Sequence, residues 1–320
     1  MEGLEKGCTI GLHKIKQFCP INPLYSPRNF RGRLADMQIL ETAEALQTLT
    51  EAWRRDGRRI GFVPTMGALH EGHLQLVRAA VAANDVVVVS IFVNPTQFNN
   101  ADDFKFYPRT LESDAELLRD TGATAIFAPS VEQMYPQPAV LRFDFGALER
   151  VMEGAQRPGH FNGVATVVSK LFHLGRPHRA YFGQKDWQQV AVVRQLIADL
   201  SFDLELVSCP TIREEDGLAM SSRNRRLRPE ARAVAPRLHE ALQLTAASLR
   251  EGRSPGEAQQ HGAEWLRQFP DIELEYLEVA DAQTLQPAWA APSAEQPLVI
   301  CLAAWLGGVR LIDNVLVSGQ

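Results

Sequence analysis

Two histidines three residues apart, His70 and His73, close the run Pro64-Thr-Met-Gly-Ala-Leu-His-Glu-Gly-His73, where a strand is expected to hand over to a helix. On the first turn of a helix, positions i and i+3 face the same way, and Gly67 and Gly72 let a ligand approach the backbone closely. The unpaired N–H groups at a helix start favour phosphate. The run therefore reads as two imidazole donors aimed at phosphate oxygens. Two other readings stay open at this point: a zinc pair, which needs a third ligand at suitable spacing, and plain capping by a polar loop. The run is HEGH and not HExxH, so the metalloprotease signature does not apply.

Two further clusters carry chemistry. Arg213-Glu-Glu-Asp-Gly-Leu-Ala-Met-Ser-Ser-Arg-Asn224 gathers hydroxyl, guanidinium and amide donors, which suits a triphosphate whose charge shifts during reaction; a solvated interdomain linker would look similar. Phe182-Gly-Gln-Lys-Asp-Trp-Gln-Gln189 offers Lys185 for phosphate, Asp186 for ribose hydroxyls or Mg²⁺, and amides for a polar substrate. Its plainer alternative is a strand-to-helix turn with an exposed ion pair.

The elements that must position these loops alternate. Residues 41 to 56 have helical spacing, Ile60-Gly-Phe-Val63 reads as a short buried strand ending at Pro64, 73 to 83 is helical, and 86 to 93 is a β-branched interior strand. Residues 110 to 121 and 164 to 174 read as helices, and Ala125-Ile-Phe-Ala128 and Ala180-Tyr-Phe182 as strands. Such alternation predicts an α/β fold, a Rossmann-like doubly wound parallel sheet, whose ligands lie beyond the carboxyl ends of the strands. The loops after Val63, Val93 and Phe182 are the places to search. After about residue 211 an Arg- and Ala-rich helical stretch over 229 to 250 is followed by a second helix. Strands over 273 to 280 and 299 to 317, the latter turned at Gly307-Gly308, complete a smaller C-terminal α+β domain. The expected division is an N-terminal extension over 1–36, a nucleotide- and substrate-binding domain over 37–211, and a C-terminal lid over 212–320.

Composition narrows the function classes. With 33 Lys plus Arg against 38 Asp plus Glu, the net charge of −5 provides no general attraction for nucleic acid. No apolar run approaches the roughly 18 residues that span a bilayer. Cys8, Cys19, Cys209 and Cys301 form no CxxC pair, so a disulfide framework is not expected and a reducing cytoplasm is. Residues 1–35 hold six basic and two acidic side chains without an apolar core segment. They read as a disordered tail or an upstream start with Met37 opening the domain, ahead of a transit peptide.

Taken together, the loops resemble one family, the pantoate–β-alanine ligases of the HxGH nucleotidyltransferase superfamily. The resemblance covers about 280 residues from Met37 and rests on 63–73, on Val89-Ser-Ile-Phe-Val-Asn-Pro-Thr-Gln-Phe98, on Tyr107-Pro-Arg-Thr110, on Glu153-Gly-Ala-Gln-Arg-Pro-Gly-His-Phe161, on the Gly-Gln-Lys-Asp stretch and on 216–224. It implies ATP-dependent condensation of pantoate with β-alanine through a pantoyl adenylate, releasing AMP and pyrophosphate, with Mg²⁺. The alternatives are a transferase that stops at nucleotidyl transfer, a class I aminoacyl-tRNA synthetase, a silent nucleotide sensor and a zinc hydrolase.

By the same resemblance Met66, Gly67, Ala68, Leu69, His70, Glu71, Gly72, His73, Gly183, Gln184, Lys185, Asp186, Ile212, Met220, Ser221, Ser222 and Arg223 form the ATP site. Its catalytic groups are His73, His70, Lys185, Ser221, Ser222 and Arg223. Gln97, Gln189, Asn94, Arg157 and His160 bind pantoate, Gln97 also meets β-alanine, and Asp114 contacts Mg²⁺ through water. Gln184 departs from the family's usual Glu. A homodimer is implied, with the apolar 86 to 93 run as a candidate interface.

Overall fold

The computed structural model describes residues 37–99 and 104–319; the expectation for 1–36 lies outside them. Nine strands and ten helices follow in chain order among the described residues. β1 (Gln38–Leu40), β2 (Ile60–Thr65), β3 (Val86–Ile91), β4 (Ala125–Phe127), β5 (Arg179–Gly183) and β6 (Glu205–Cys209) form a parallel sheet in the order β1-β4-β3-β2-β5-β6. Around it lie α1 (Ala43–Arg55), α2 (Glu71–Ala83), α3 (Leu111–Leu118), α4 (Val131–Met134), α5 (Met152–Gln156), α6 (His160–Gly175) and α7 (Trp187–Asp199).

The four consecutive valines of β3 show why this sheet is buried on both faces. Side chains alternate along a strand. Val86 and Val88 enter a core with Leu46, Phe62 and Phe172, while Val87 and Val89 enter another with Leu69, Val77 and Tyr181. All four are 2% exposed or less. In the rest of the run Phe92 is buried, and Ile91 and Val93 are half-buried.

A second sheet is antiparallel, β7-β8-β9, from β7 (Ile272–Asp281), β8 (Leu298–Leu306) and β9 (Val309–Val317). Gly307 and Gly308, with φ of +54° and +78°, form the two-residue β8–β9 turn, as such hairpins require. Helices α8 (Pro229–Val234), α9 (Arg237–Arg250) and α10 (Pro255–Leu266) share one core with Leu298, Ile300 and Leu302 of β8. The stretch expected as one helix over 229 to 250 is broken at Pro236, where α9 begins anew. Val299 and Cys301 of β8 pack with Met152 and Trp187, and the Trp187 indole donates to the Ala282 carbonyl at 3.0 Å.

The sheet opens where chain order reverses. β3 and β4 extend it on one side of β2, and β5 and β6 on the other. β2 pairs with β3 over six residues but with β5 over only two, Gly61↔Arg179 and Phe62↔Ala180. Past Phe62 the two strands separate, which leaves a crevice at their carboxyl ends of the kind in which ligands sit.

Candidate active site

The loop from β2 into α2 is held in an unusual backbone form. Gly67 and Ala68 both have positive φ, +81° and +51°, and a side chain tolerates that region only at a cost. Asp114 of α3 stabilises it: its carboxylate accepts the Ala68 N–H at 2.9 Å and the Leu69 N–H at 2.8 Å. Thr110 Oγ1 donates to the same carboxylate at 3.2 Å, and Asp114 is 1% exposed. The structure thus uses Asp114 to build the loop. Ala68 and Leu69, whose N–H groups it takes, are buried themselves.

His70 and His73 cap α2 reciprocally. His70 Nδ1 accepts the Gly72 N–H at 3.2 Å, and His73 Nδ1 accepts the His70 N–H at 3.3 Å. A neutral imidazole that accepts through one nitrogen carries its proton on the other. Both rings, 4.1 Å apart, therefore carry their N–H at Nε2. Partial burial, with Lys185 and Arg225 nearby, pulls His70 down to about 4. Burial, then His70 and Lys185, pulls His73 to about 3. Capping occupies Nδ1 of each ring and leaves Nε2–H free of that bond, so capping and ligand donation are not exclusive. Among the described residues no group of three or more His, Cys, Asp or Glu could hold a metal, so the zinc pair has no third ligand there. Glu71 turns along the helix to Gln75, at 2.8 Å, and to Arg78.

Lys185 follows β5 across the crevice, 17% exposed and 3.9 Å from the half-exposed Asp186. A β-carbon on Gly183 would meet nothing within 4 Å. The third cluster folds as a small hairpin: Met220 N–H donates to the Ile212 carbonyl at 2.9 Å, Arg213 bridges to Ala219, and Gly217 takes φ +92° at the bend. The hairpin brings Met220 against Gly72, where an added β-carbon would lie 3.8 Å from that of Met220. Ser221 Oγ accepts the Arg223 N–H at 3.3 Å and starts the turn at Ser222. Ile212 and Ser222 are half-buried beside it.

The acid-binding candidates divide. Asn94 is 1% exposed and fully engaged: its amide donates to Gln97 Oε1 at 3.0 Å and the Gly163 carbonyl at 3.1 Å, and its oxygen accepts from Tyr135 Oη at 2.8 Å. It therefore organises the 94–97 turn. Gly163 is required there, because a β-carbon would lie 2.2 Å from the Thr96 carbonyl. Gln97 points its Nε2 at Met66 Sδ, 3.0 Å away. His160 donates from Nδ1 to the Gln97 carbonyl at 2.8 Å and receives Arg157 on Nε2 at 3.3 Å. Burial, then Arg157, holds it down to about 4. Arg157, His160, Lys185 and Gln189 line one cleft together with Tyr276 and Asn314. His70 and His73 lie outside this lining, and Lys185, which lowers the pKa of both, connects the two parts.

Several residues here were assigned no role from the motifs, although Glu153 opens one of them. Glu153 accepts Arg310 through both oxygens at 2.6 and 2.8 Å and Tyr276 Oη at 2.8 Å, and sits 3.7 Å from Arg157. Burial raises the Glu153 carboxyl, but Arg310 outweighs it and keeps it below the ordinary range. Asp313 and Asn314 fasten the loops from β9. Their only sequence trace is a pair of polar residues inside the apolar strand Val309–Val317.

Comparison with known proteins gives the family. A family profile described as pantoate-beta-alanine ligase matches residues 38–316. The pantothenate synthetase of Cytophaga hutchinsonii is 49% identical over 265 residues, 82% of this chain and 93% of its own. That of Moorella thermoacetica is 47% identical over 88% and 99%. A crystal structure of the Thermus thermophilus enzyme superposes with a TM-score of 0.81 at 46% identity, covering 87% of this chain and 99% of that one. The Francisella tularensis pantoate-beta-alanine ligase, complexed with beta-gamma ATP and beta-alanine, gives 0.73 at 36% identity over 88% and 97%. This chain belongs to the pantoate–β-alanine ligase family.

Proposed function

We propose that the chain joins pantoate to β-alanine at the expense of ATP, through a pantoyl adenylate, with release of AMP and pyrophosphate. The observation that carries this reading is the meeting of two kinds of site across Lys185. On one side, two Nε2–H groups stand at the start of the 13-residue α2. On the other is a cleft lined by Arg157, His160 and Gln189. The first suits a triphosphate and the second a small hydroxy acid.

In the first step an oxygen of the pantoate carboxylate attacks the α-phosphorus and pyrophosphate leaves. Such a reaction gains most from in-line positioning and from donors aimed at the developing charge. His70 and His73 donate from Nε2, and Lys185, Ser221, Ser222 and Arg223 approach from the other two loops. Gln97 and Gln189 offer amides to the acid, whose charge Arg157 balances, and the bare Gly183 leaves room for the nucleotide. In the second step the β-alanine amine attacks the acyl carbon and displaces AMP. Met66, Ile212 and Met220 supply apolar surface.

The carboxylates do not fit a resident Mg²⁺. Asp114 is committed to backbone N–H groups, and among the described residues no acidic cluster stands by. Magnesium, which keeps its waters and rides on phosphates, enters with the nucleotide as MgATP, a substrate. An acyl adenylate hydrolyses in water, so residues 212–320 serve as a lid over 37–211. Cytoplasmic location rests on the cysteine pattern and a homodimer on the family resemblance; no helix among the described residues is long and apolar enough to cross a membrane.

The test is AMP release by purified protein with MgATP, pantoate and β-alanine, omitting one acid substrate at a time. AMP that requires both supports the reading. Full turnover with pantoate alone, or with neither, would return the site to plain nucleotidyl transfer.

A further inference from the structure

Asp313 and Asn314 are consecutive residues of β9, 4% and 6% exposed, and successive side chains of a strand point to opposite faces. Each holds a different loop. Asn314 Nδ2 donates to the Gln184 carbonyl at 2.9 Å and to the Lys185 carbonyl at 2.8 Å. Asp313 receives both terminal nitrogens of Arg213, at 2.6 and 2.9 Å, the bidentate form that fixes a guanidinium in plane and direction. The same guanidinium donates to the Gly217 carbonyl at 3.0 Å and to the Asn314 carbonyl at 3.2 Å. It therefore ties the bend of the hairpin to the strand.

One of these loops carries Lys185 and the other ends in Met220 and Ser221, and β9 is a scaffold common to both. β9 itself is firm, paired with β8 along nine residues from Leu298↔Val317 to Leu306↔Val309. Groups held on strands keep tighter geometry than groups held on loops.

We propose that the Asp313–Asn314 pair is a positioning device, which sets the Lys185 turn and the Arg213–Ser222 hairpin in register with each other from a single strand before any ligand binds. Neither residue donates to a reacting atom in this role: Asn314 acts through Lys185, and Asp313 through Arg213. The inference takes from the functional reading only what the two loops do. The anchor is a property of the unliganded protein.

Asn314→Ala, Lys185→Ala and the double variant separate positioning from packing. Misplacement by about 1 Å can cost about 100-fold in rate, so Asn314→Ala should lower kcat for AMP formation about 10- to 100-fold with little change in the KM for ATP. In the Lys185→Ala background the same change should cost almost nothing more. A wild-type kcat, or a loss that simply multiplies that of Lys185→Ala, overturns the proposal. Amide hydrogen exchange supplies an arm that does not depend on activity. Residues 183–188 should exchange faster in Asn314→Ala while the core of β3 keeps its protection, and unchanged exchange there overturns the anchor even in a protein that makes no AMP. Conversely, wild-type protein that releases no AMP with both acids, yet shows the faster exchange in the variant, refutes the functional reading and leaves the anchor standing. Should Asn314→Ala not fold, the isosteric Asn314→Asp takes its place in both measurements. It keeps the volume but faces two carbonyls with an acceptor, and the same losses are expected.

Discussion

At the scale of residues, the two histidines combine a structural duty with the chemistry proposed for them. Their Nδ1 atoms complete the α2 cap, and the proton left on Nε2 is the one a phosphate would meet. His73→Asn should separate these duties, since an amide oxygen still accepts the His70 N–H. We expect adenylate formation to fall about 10²- to 10³-fold, the usual effect of losing one preorganised donor, with the melting temperature at pH 7 nearly unchanged. The same variant alters the response to acid. An unfolded histidine titrates near 6.5 and His73 in the fold near 3, so between these values the unfolded chain binds the extra proton. Stability therefore falls as pH drops below about 6.5, and His73→Asn should make that fall shallower in denaturant titrations at pH 7, 6 and 5. An unaltered slope would mean that His73 is not held neutral. Residue types at this site were legible in the sequence because HxGH spacing specifies them. Which nitrogen does which work was not, because it depends on backbone hydrogen bonds that only the folded turn supplies.

Among the elements, legibility followed burial. β2 and β3 sit inside the sheet and read as apolar runs, whereas β1 and β6 are its edges, and Glu205–Cys209 is half-exposed with mixed polarity. α7 was hidden for another reason: its first turn, Trp187 to Gln189, coincides with a motif already read for chemistry. The structural part played by Asp114 was not legible because its partners Ala68 and Leu69 lie 46 and 45 positions away, a pairing no local pattern encodes. Its place in the fold gives a direct check. Asp114→Ala leaves two buried N–H groups without an acceptor and should cost about 1–3 kcal/mol in urea unfolding. It should raise the KM for ATP as the 67–69 loop relaxes and leave the Mg²⁺ concentration for half-activation, at fixed MgATP, where it was. A shift in that concentration would restore the metal role.

For the whole molecule, both sheets were foreseen, but not how they are joined. Arg310 on β9 meets Glu153 on α5 in a largely buried pair that Tyr276 and Glu275 complete. Removing one partner of a buried pair strands the other charge and costs about 3–5 kcal/mol. Arg310→Met alone should be destabilised by that order, and Arg310→Met with Glu153→Gln by clearly less, as measured by thermal unfolding. Equal losses would show that the pair contributes shape and not charge compensation.

The short β2–β5 seam has a mechanical meaning as well. Two residue pairs stitch the halves of the parallel sheet at this line, assisted at its base by Ile60 N–H to His178 Nδ1 at 3.0 Å and Asn84 Nδ2 to Tyr181 Oη at 2.7 Å. The line resembles a zip closed at one end. A nucleotide that met His70 on one half and Lys185 on the other would add a tie across the open end, beyond the core that the two halves share.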